Sequence, residues 1–351
     1  MRGDFFNDLK INYLSEDKKY EEEVTFFIEE WFSTSDKVSV QTSGSTGIPK
    51  IFEIEKEKMR NSAKMTCDFL DLKENQTALL CLPTQYISGK MMVVRALERN
   101  LQLIASSPSL TPLKNVVKAV DFCAMTPLQV EHSLDKLHLI KKLIIGGAAV
   151  SEQLKKKIYQ ALEAKTLEDD HHQTTIYETY GMSETLSHIA LRQIFPKEEK
   201  VFTILEGVGI STNERDCLRI FAPKLNAEVL QTNDMVELKN EKQFRFLGRV
   251  DNIINSGGAK IVPEALEALA KKEIQNEVVF LGIPDEILGQ RLIAVIEGDP
   301  SEQLKQLVQN LAFEKKYHRP KDVIFIEEIP RTPNGKVERK KLLNQIENER
   351  L

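Results

Sequence analysis

Two hydrophobic periods alternate along this chain, and the places where they change suggest where its architecture changes. Residues 20–32 carry apolar and aromatic side chains at helical spacing and predict a helix. Residues 56–70 predict a second helix, and 77–83 form a continuous apolar run of strand length that ends at a proline. Residues 89–101 are again helical in pattern. Short apolar runs at 101–105 and 119–123 read as buried strands, with a helix expected over 128–137. A strand at 142–145 runs straight into Gly146-Gly147-Ala148-Ala149, and Ser151 stands where an N-cap should open a helix reaching residue 164. Strand and helix in alternation indicate an α/β domain with a largely parallel sheet. Ligands of such sheets bind beyond the carboxyl ends of the strands, and 146–149 lies at one such end.

The pattern changes twice more. From 201 to 246 the runs are short, β-prone and alternating (217–221, 235–238, 244–247), with polar turns between them, which suggests a small antiparallel subdomain. After Gly248 come a helix at 263–272 with proline in its first turn, strands at 277–282 and 291–296, a helix at 301–311 and a strand at 322–326. The expected organisation is a large N-terminal α/β domain over 1–247, mostly parallel sheet plus the antiparallel subdomain. A small α+β C-terminal domain follows over 248–351.

Composition narrows the class. The 351 residues are 41% hydrophobic and 29% charged with a net charge of −5, as expected of a soluble globular protein with room for two domains. Without a long basic stripe, nucleic acid and anionic membrane surfaces are not expected as partners. No apolar run is long enough to span a bilayer, and the first residues show no signal segment, so a cytoplasmic location is expected. Cys67, Cys81, Cys123 and Cys217 have no paired spacing and read as buried thiols in a reducing compartment.

Candidate chemistry begins with Thr42-Ser43-Gly44-Ser45-Thr46-Gly47-Ile48-Pro49-Lys50, between β-prone stretches. Glycines let backbone N–H groups approach phosphate oxygens and the hydroxyls add donors, so a polyphosphate suits the loop. A tight hairpin loop is the plain alternative. The run is not a P-loop, since Lys50 is followed by Ile51 where that motif needs Ser or Thr. No G-x-G-x-x-G opens a helix, which leaves dinucleotide binding unsupported. His171-His172 beside Asp169-Asp170 lacks ligand spacing and reads as a solvated loop.

Three further motifs follow in order: Tyr180-Gly181-Met182-Ser183-Glu184; Gly248-Arg249-Val250-Asp251 with Gly257-Gly258 and Pro263-Glu264; and Pro330-Arg331-Thr332-Pro333-Asn334-Gly335-Lys336. With the first loop, these resemble the acyl-adenylate-forming enzymes, which include acyl-CoA synthetases, peptide-synthetase adenylation domains and luciferases. The resemblance implies ATP, Mg²⁺ and coenzyme A as cofactors and a small-molecule carboxylate as substrate. It implies that Thr42, Ser43, Gly44, Ser45, Thr46, Gly47 and Lys50 hold the leaving phosphates and that Glu184 carries Mg²⁺. Tyr180 would stack on adenine against Gly146, Gly147 and Ala148, with Thr179 on the base edge and Gly181, Met182 and Ser183 in the same motif. Asp234 would grip the ribose and Arg249 the ribose or phosphate. The family's glycine before that aspartate is Asn233 here. Lys336 would neutralise the transition state of adenylation. The C-terminal domain would turn about Asp251 for thioester formation, bringing Gly257 and Gly258 to the CoA channel.

Within the family, Cys81-Leu82-Pro83-Thr84-Gln85-Tyr86-Ile87-Ser88-Gly89 and Met125-Thr126-Pro127-Leu128-Gln129 resemble segments of o-succinylbenzoate–CoA ligases of menaquinone biosynthesis, with Tyr86 in place of a usual histidine. Tyr86, Ser88, Gly89, Lys90 and Thr126 are therefore the substrate candidates, with Ser88 or Lys90 as donor to a second carboxylate. Three alternatives stay open: another aryl- or acyl-CoA synthetase, an adenylating enzyme that loads a carrier protein, and a non-catalytic nucleotide-binding protein of the same fold. Compared with the family, the segment before the glycine-rich loop is short, and a partner chain could supply the difference. A homo-oligomer is compatible with the sequence, which does not set its size.

Overall fold

The computed structural model describes residues 11–14, 16–41, 51–166, 174–332 and 337–349. The hydroxyl-rich run at 42–50, the Asp169–His172 stretch and Lys336 lie outside the described residues.

A 12-stranded sheet dominates the first part of the chain. Its strand order is Ile11–Tyr13, Gln102–Ala105, Thr77–Leu80, Val120–Met125, Ile140–Ile145, Thr175–Gly181, His188–Phe195, Phe202–Ile204, Gln243–Arg249, Asn226–Asn240, Cys217–Ala222, Gly209–Thr212. Neighbours are parallel as far as Thr175–Gly181 and antiparallel from there on. The parallel strands are apolar on both faces because successive side chains alternate between two cores. Leu80, Leu103, Phe122 and Ile144 enter one core with helices Lys18–Phe32, Lys56–Phe69 and Ile87–Glu98. Leu79, Cys123, Leu143 and Ile145 enter the other, under helix Glu152–Thr166. Ser151 caps that helix as expected, accepting the Leu154 N–H at 3.1 Å.

The antiparallel segment expected as a small subdomain continues the same sheet. A one-sided turn makes this possible. Gly181 lies so close to the returning chain that a Cβ on it would be 2.4 Å from the Ser187 carbonyl oxygen, and Leu186 takes φ +67°. The strand Asn226–Asn240 is longer than its burial suggests, since Ala227–Val229 and Gln231 are exposed. The helix expected over 128–137 is split into Pro127–Glu131 and a 3₁₀ segment Leu134–Leu139.

A second, 5-stranded sheet follows. Strands Ala259–Ile261, Ile254–Ser256, Gly289–Glu297 and Val278–Asp285 are antiparallel, and Asp322–Ile326 joins parallel to Gly289–Glu297. Helices Pro263–Ala270 and Glu302–Asn310 cover one face and Arg339–Glu349 the other. The crossing between the two sheets is the 3₁₀ turn Val250–Asn252, which contains Asp251.

One buried polar group ties helix Lys18–Phe32 to helix Ile87–Glu98. Lys90, expected either on the substrate or at a helix-start surface, is buried instead. Its Nζ lies 3.4 Å from Glu30 Oε2 and 4.1 Å from the centroid of the Phe27 ring. Burial lowers its pKa while Glu30 opposes that shift. Glu30 Oε1 also accepts the Ser39 N–H at 2.7 Å. Glu30→Ala should therefore cost about 2–3 kcal/mol, since it strands a buried ammonium. Glu57→Ala, at an exposed pair, should cost under about 1 kcal/mol. Denaturant midpoints measure both, and equal shifts would contradict the buried-pair reading.

A second prediction concerns His188, which is buried, with Nε2 3.0 Å from Thr66 Oγ1. Burial, and then the Arg95 cation, hold its pKa well below 6.5. The unfolded chain therefore takes up a proton below about pH 6.5 that the folded chain refuses, and stability falls as pH drops. Between pH 7 and 5.5 this group should remove about 1 kcal/mol, a loss absent in His188→Gln. Parallel stability profiles for the two proteins would rule it out.

Candidate active site

The 146–149 loop leaves the carboxyl end of Ile140–Ile145 and is held at both ends. Gly146 N–H donates to the Met125 carbonyl at 3.1 Å, and Val150 N–H donates to Glu178 Oε1 at 3.0 Å. A Cβ on Gly146 would fall 2.8 Å from Thr179 Oγ1, so glycine allows the loop to touch the neighbouring strand. Gly147 turns with φ +90°. Thr126 faces this turn and closes a capping box. Its hydroxyl accepts the Gln129 N–H at 3.3 Å, and Gln129 Oε1 accepts the Thr126 N–H at 3.0 Å.

Tyr180 ends the same strand. Its hydroxyl donates to Asp234 Oδ2 at 2.6 Å. Its ring centroid lies 5.0 Å from that of Phe244 and 5.7 Å from that of Phe202, with Phe246 beyond. Burial, and next the Asp234 carboxylate, raise the phenol pKa far above its usual value, so Tyr180 stays protonated and donates. Buried Asp234 accepts from Arg249 Nη1 at 2.9 Å through its other oxygen. Arg249 Nη2 reaches Asp251 Oδ2 at 3.0 Å. Asn233 Nδ2 donates to the same carboxylate at 3.1 Å. Tyr180, Asp234, Arg249 and Asp251 thus form one connected network.

Gly181, Met182, Ser183 and Glu184 lie in the return turn. Met182 N–H donates to Thr185 Oγ1 at 3.0 Å, and the Glu184 side chain is exposed. No group of three or more His, Cys, Asp or Glu among the described residues could hold a metal. Tyr86 pairs with Gln41, the last residue described before the hydroxyl-rich run, which brings the 81–89 segment beside it. Ser88 is exposed in the first turn of Ile87–Glu98. Gly89 is packed so tightly that a Cβ would sit 2.2 Å from the Pro83 carbonyl oxygen. Gly257 and Gly258, at φ +57° and +80°, make the two-residue turn between Ile254–Ser256 and Ala259–Ile261.

Lys336 is outside the described residues, but its flanks are tied. Arg331 pairs with Val337 across the loop and grips Glu297 with two hydrogen bonds of 2.9 and 2.7 Å. Arg331 and Ser151 line one cavity of about 330 Å³. Arg331 thus shares that cavity with Ser151 and Gln153 at the start of the helix that follows the 146–149 loop.

Sequence reasoning missed Arg95. It lies two turns beyond Ser88 on the same helix, on the same face, and is 2% exposed. Nη2 donates to Ser187 Oγ at 3.1 Å, while Nε has no partner. No carboxylate pairs with it among the described residues. Burial pushes its pKa down to about 10. The available signal was a lone cation seven residues after Ser88 in the apolar run Met91-Met92-Val93-Val94.

Known proteins match most of the chain. The AMP-binding enzyme family matches residues 12–212, and its C-terminal domain matches residues 267–336. The 2-succinylbenzoate–CoA ligase of Lactococcus lactis subsp. lactis (strain IL1403) is 26% identical over 331 residues, covering 87% of this chain and 70% of that protein. An acyl-CoA synthetase (AMP-forming)/AMP-acid ligase II-like protein from Dyadobacter fermentans DSM 18053 is similar in structure. Its TM-score is 0.63 at 32% identity, covering 94% of this chain and 95% of that one. The o-succinylbenzoate coenzyme A synthetase of Bacillus subtilis, in complex with ATP and magnesium ion, shares the fold, with a TM-score of 0.68 at 20% identity over 88% of this chain and 69% of that one. The chain belongs to the AMP-binding enzyme family and carries that family's C-terminal domain.

Proposed function

We propose that this protein is an ATP-dependent acid–thiol ligase that converts o-succinylbenzoate to its coenzyme A thioester through an acyl-adenylate. Family membership and the curated relatives support the reaction class. The observation that carries the substrate is Arg95. An unpaired buried guanidinium is unfavourable for folding, and the natural partner for one near the candidate substrate segment is an anionic ligand. A substrate with two carboxylates supplies it. One carboxylate reacts, and the other meets Arg95, a role taken over from Ser88 or Lys90. Lys90 is already committed to Glu30.

In the first step one carboxylate attacks the α-phosphate of ATP and pyrophosphate leaves, so stabilisation rests on placed cations and donors. The loop holding Ser43, Gly44, Ser45, Thr46, Gly47 and Lys50 takes the leaving phosphates. Tyr180 and the 146–149 loop flank the base, and Asp234 accepts the ribose hydroxyls while Arg249 holds its orientation. Glu184 offers one exposed carboxylate, which suits Mg²⁺ carried mainly by phosphate oxygens and water. When bound, that ion neutralises phosphate charge. Lys336 neutralises the α-phosphoryl oxygens. The second domain then turns about Asp251, and the CoA thiol displaces AMP past Gly257 and Gly258.

Two outcomes test this. Lys336→Ala should cut pyrophosphate release by about a thousandfold or more, yet spare thioester formation from preformed acyl-adenylate. Equal loss of both steps would remove the two-conformation account. Arg95→Met should raise KM for o-succinylbenzoate about a hundredfold, leave KM for ATP unchanged and not lower thermal stability, because it removes an unpaired charge. An unaltered KM for the acid would sink the substrate assignment.

A further inference from the structure

Glu178 is the least expected group near the nucleotide end of the sheet. Its side chain is 6% exposed on a strand whose other buried residue is Ile176. Both oxygens are engaged: Oε1 accepts the Val150 N–H at 3.0 Å, and Oε2 pairs with the Arg192 guanidinium from the adjacent strand. Arg192 is in turn seated 4.6 Å over the Phe202 ring, which packs against Tyr180. The Glu178–Arg192 pair therefore touches both elements proposed to flank the base. Through Val150 it fixes the end of the 146–149 loop, and through Phe202 it supports the Tyr180 ring. The loop's other end is fixed by Met125, and between the two anchors only Gly147, Ala148 and Ala149 are free of the strands.

We infer that Glu178 is a positioning residue for the nucleotide base. It sets the width of the slot between the 146–149 loop and Tyr180, and hence the preference for adenine over a differently edged purine. A buried carboxylate on a backbone N–H is a strong, directional anchor. Replacing it would let the loop drift by the few tenths of an ångström that base selection depends on. This inference rests on the proposed placement of ATP at Tyr180 and the 146–149 loop.

Titration calorimetry of ATP and GTP with the full chain, and ATP–pyrophosphate exchange with o-succinylbenzoate, test it. Glu178→Ala should weaken ATP binding about tenfold and narrow the ATP-to-GTP ratio, with KM for the acid and the maximal exchange rate within about twofold. Glu178→Gln keeps an oxygen for the Val150 N–H and should recover most of the ATP affinity. Unchanged ATP affinity and base preference in folded Glu178→Ala would overturn the inference. If Glu178→Ala fails to fold, Glu178→Gln decides together with Arg192→Gln, which leaves the carboxylate but loosens it. Weakened base selection in Arg192→Gln with selection retained in Glu178→Gln supports the inference, and no change in either overturns it. Wild-type protein that binds no ATP would refute the proposed function itself, a result visible before any variant is made.

Discussion

The constraint on which this structure turns is the change of strand direction at Thr175–Gly181. A parallel neighbour is reached only by a crossover, so the carboxyl edge of a parallel sheet collects loops, whereas an antiparallel neighbour can return at once. Here one strand obeys both rules, parallel to Ile140–Ile145 and antiparallel to His188–Phe195. The parallel side delivers the glycine-rich 146–149 loop. The antiparallel side returns through a turn that exposes Glu184 and then carries the sheet far enough to bring Asp234 to Tyr180 from 54 residues away. Glu178, Thr179 and Tyr180, consecutive on the shared strand, each touch a different part of the surroundings. A site assembled from distant segments thus depends on one element for its registration.

Much of this was legible because period and punctuation agreed locally. Helices Lys18–Phe32 and Lys56–Phe69 and the strands Thr77–Leu80, Gln102–Ala105, Val120–Met125 and Ile140–Ile145 follow from apolar spacing, whereas Ile11–Tyr13 and Thr175–Gly181 do not. Family motifs fix where chemistry should lie even without structure. What was not legible depended on partners remote in sequence. Nothing local distinguishes Lys90 from a surface lysine, since Glu30 and Phe27, which bury it, lie 60 and more residues earlier. The length of Asn226–Asn240 is set by its neighbours' pairing, against a largely exposed first half. The antiparallel segment reads as a subdomain because alternation identifies strands but not the sheet they join. The break between Pro127–Glu131 and Leu134–Leu139 is hidden by an apolar spacing that suits either helix type.

Lys90 and Arg95 make an instructive pair, since both are buried cations on one helix. The lysine has a carboxylate and an aromatic face, so its burial is offset within the fold. The arginine has one neutral hydroxyl and a thioether, and after burial itself it is the second cause that lowers the His188 pKa. Folding alone would place an apolar residue there. Structures depart from the most stable choice chiefly where another requirement acts on the position, and an anionic ligand is the requirement that fits a buried guanidinium.

The same logic applies in reverse at the turn between the sheets. Asn233 stands where the family has glycine, and its amide joins Arg249 on the Asp251 carboxylate. Both Asp251 and Arg249 remain about half exposed, so water competes for each bond and each contributes little. In the proposed two-arrangement cycle, a stronger, drier network would hold the two parts of the chain in one arrangement. A weaker one would leave Arg249 unsupported beside Asp234. Exposed hydrogen bonds converging on a turn residue satisfy both demands. They hold Arg249 against Asp234 while Asp251 is in place, and water can replace them if, as proposed, the backbone at that residue turns.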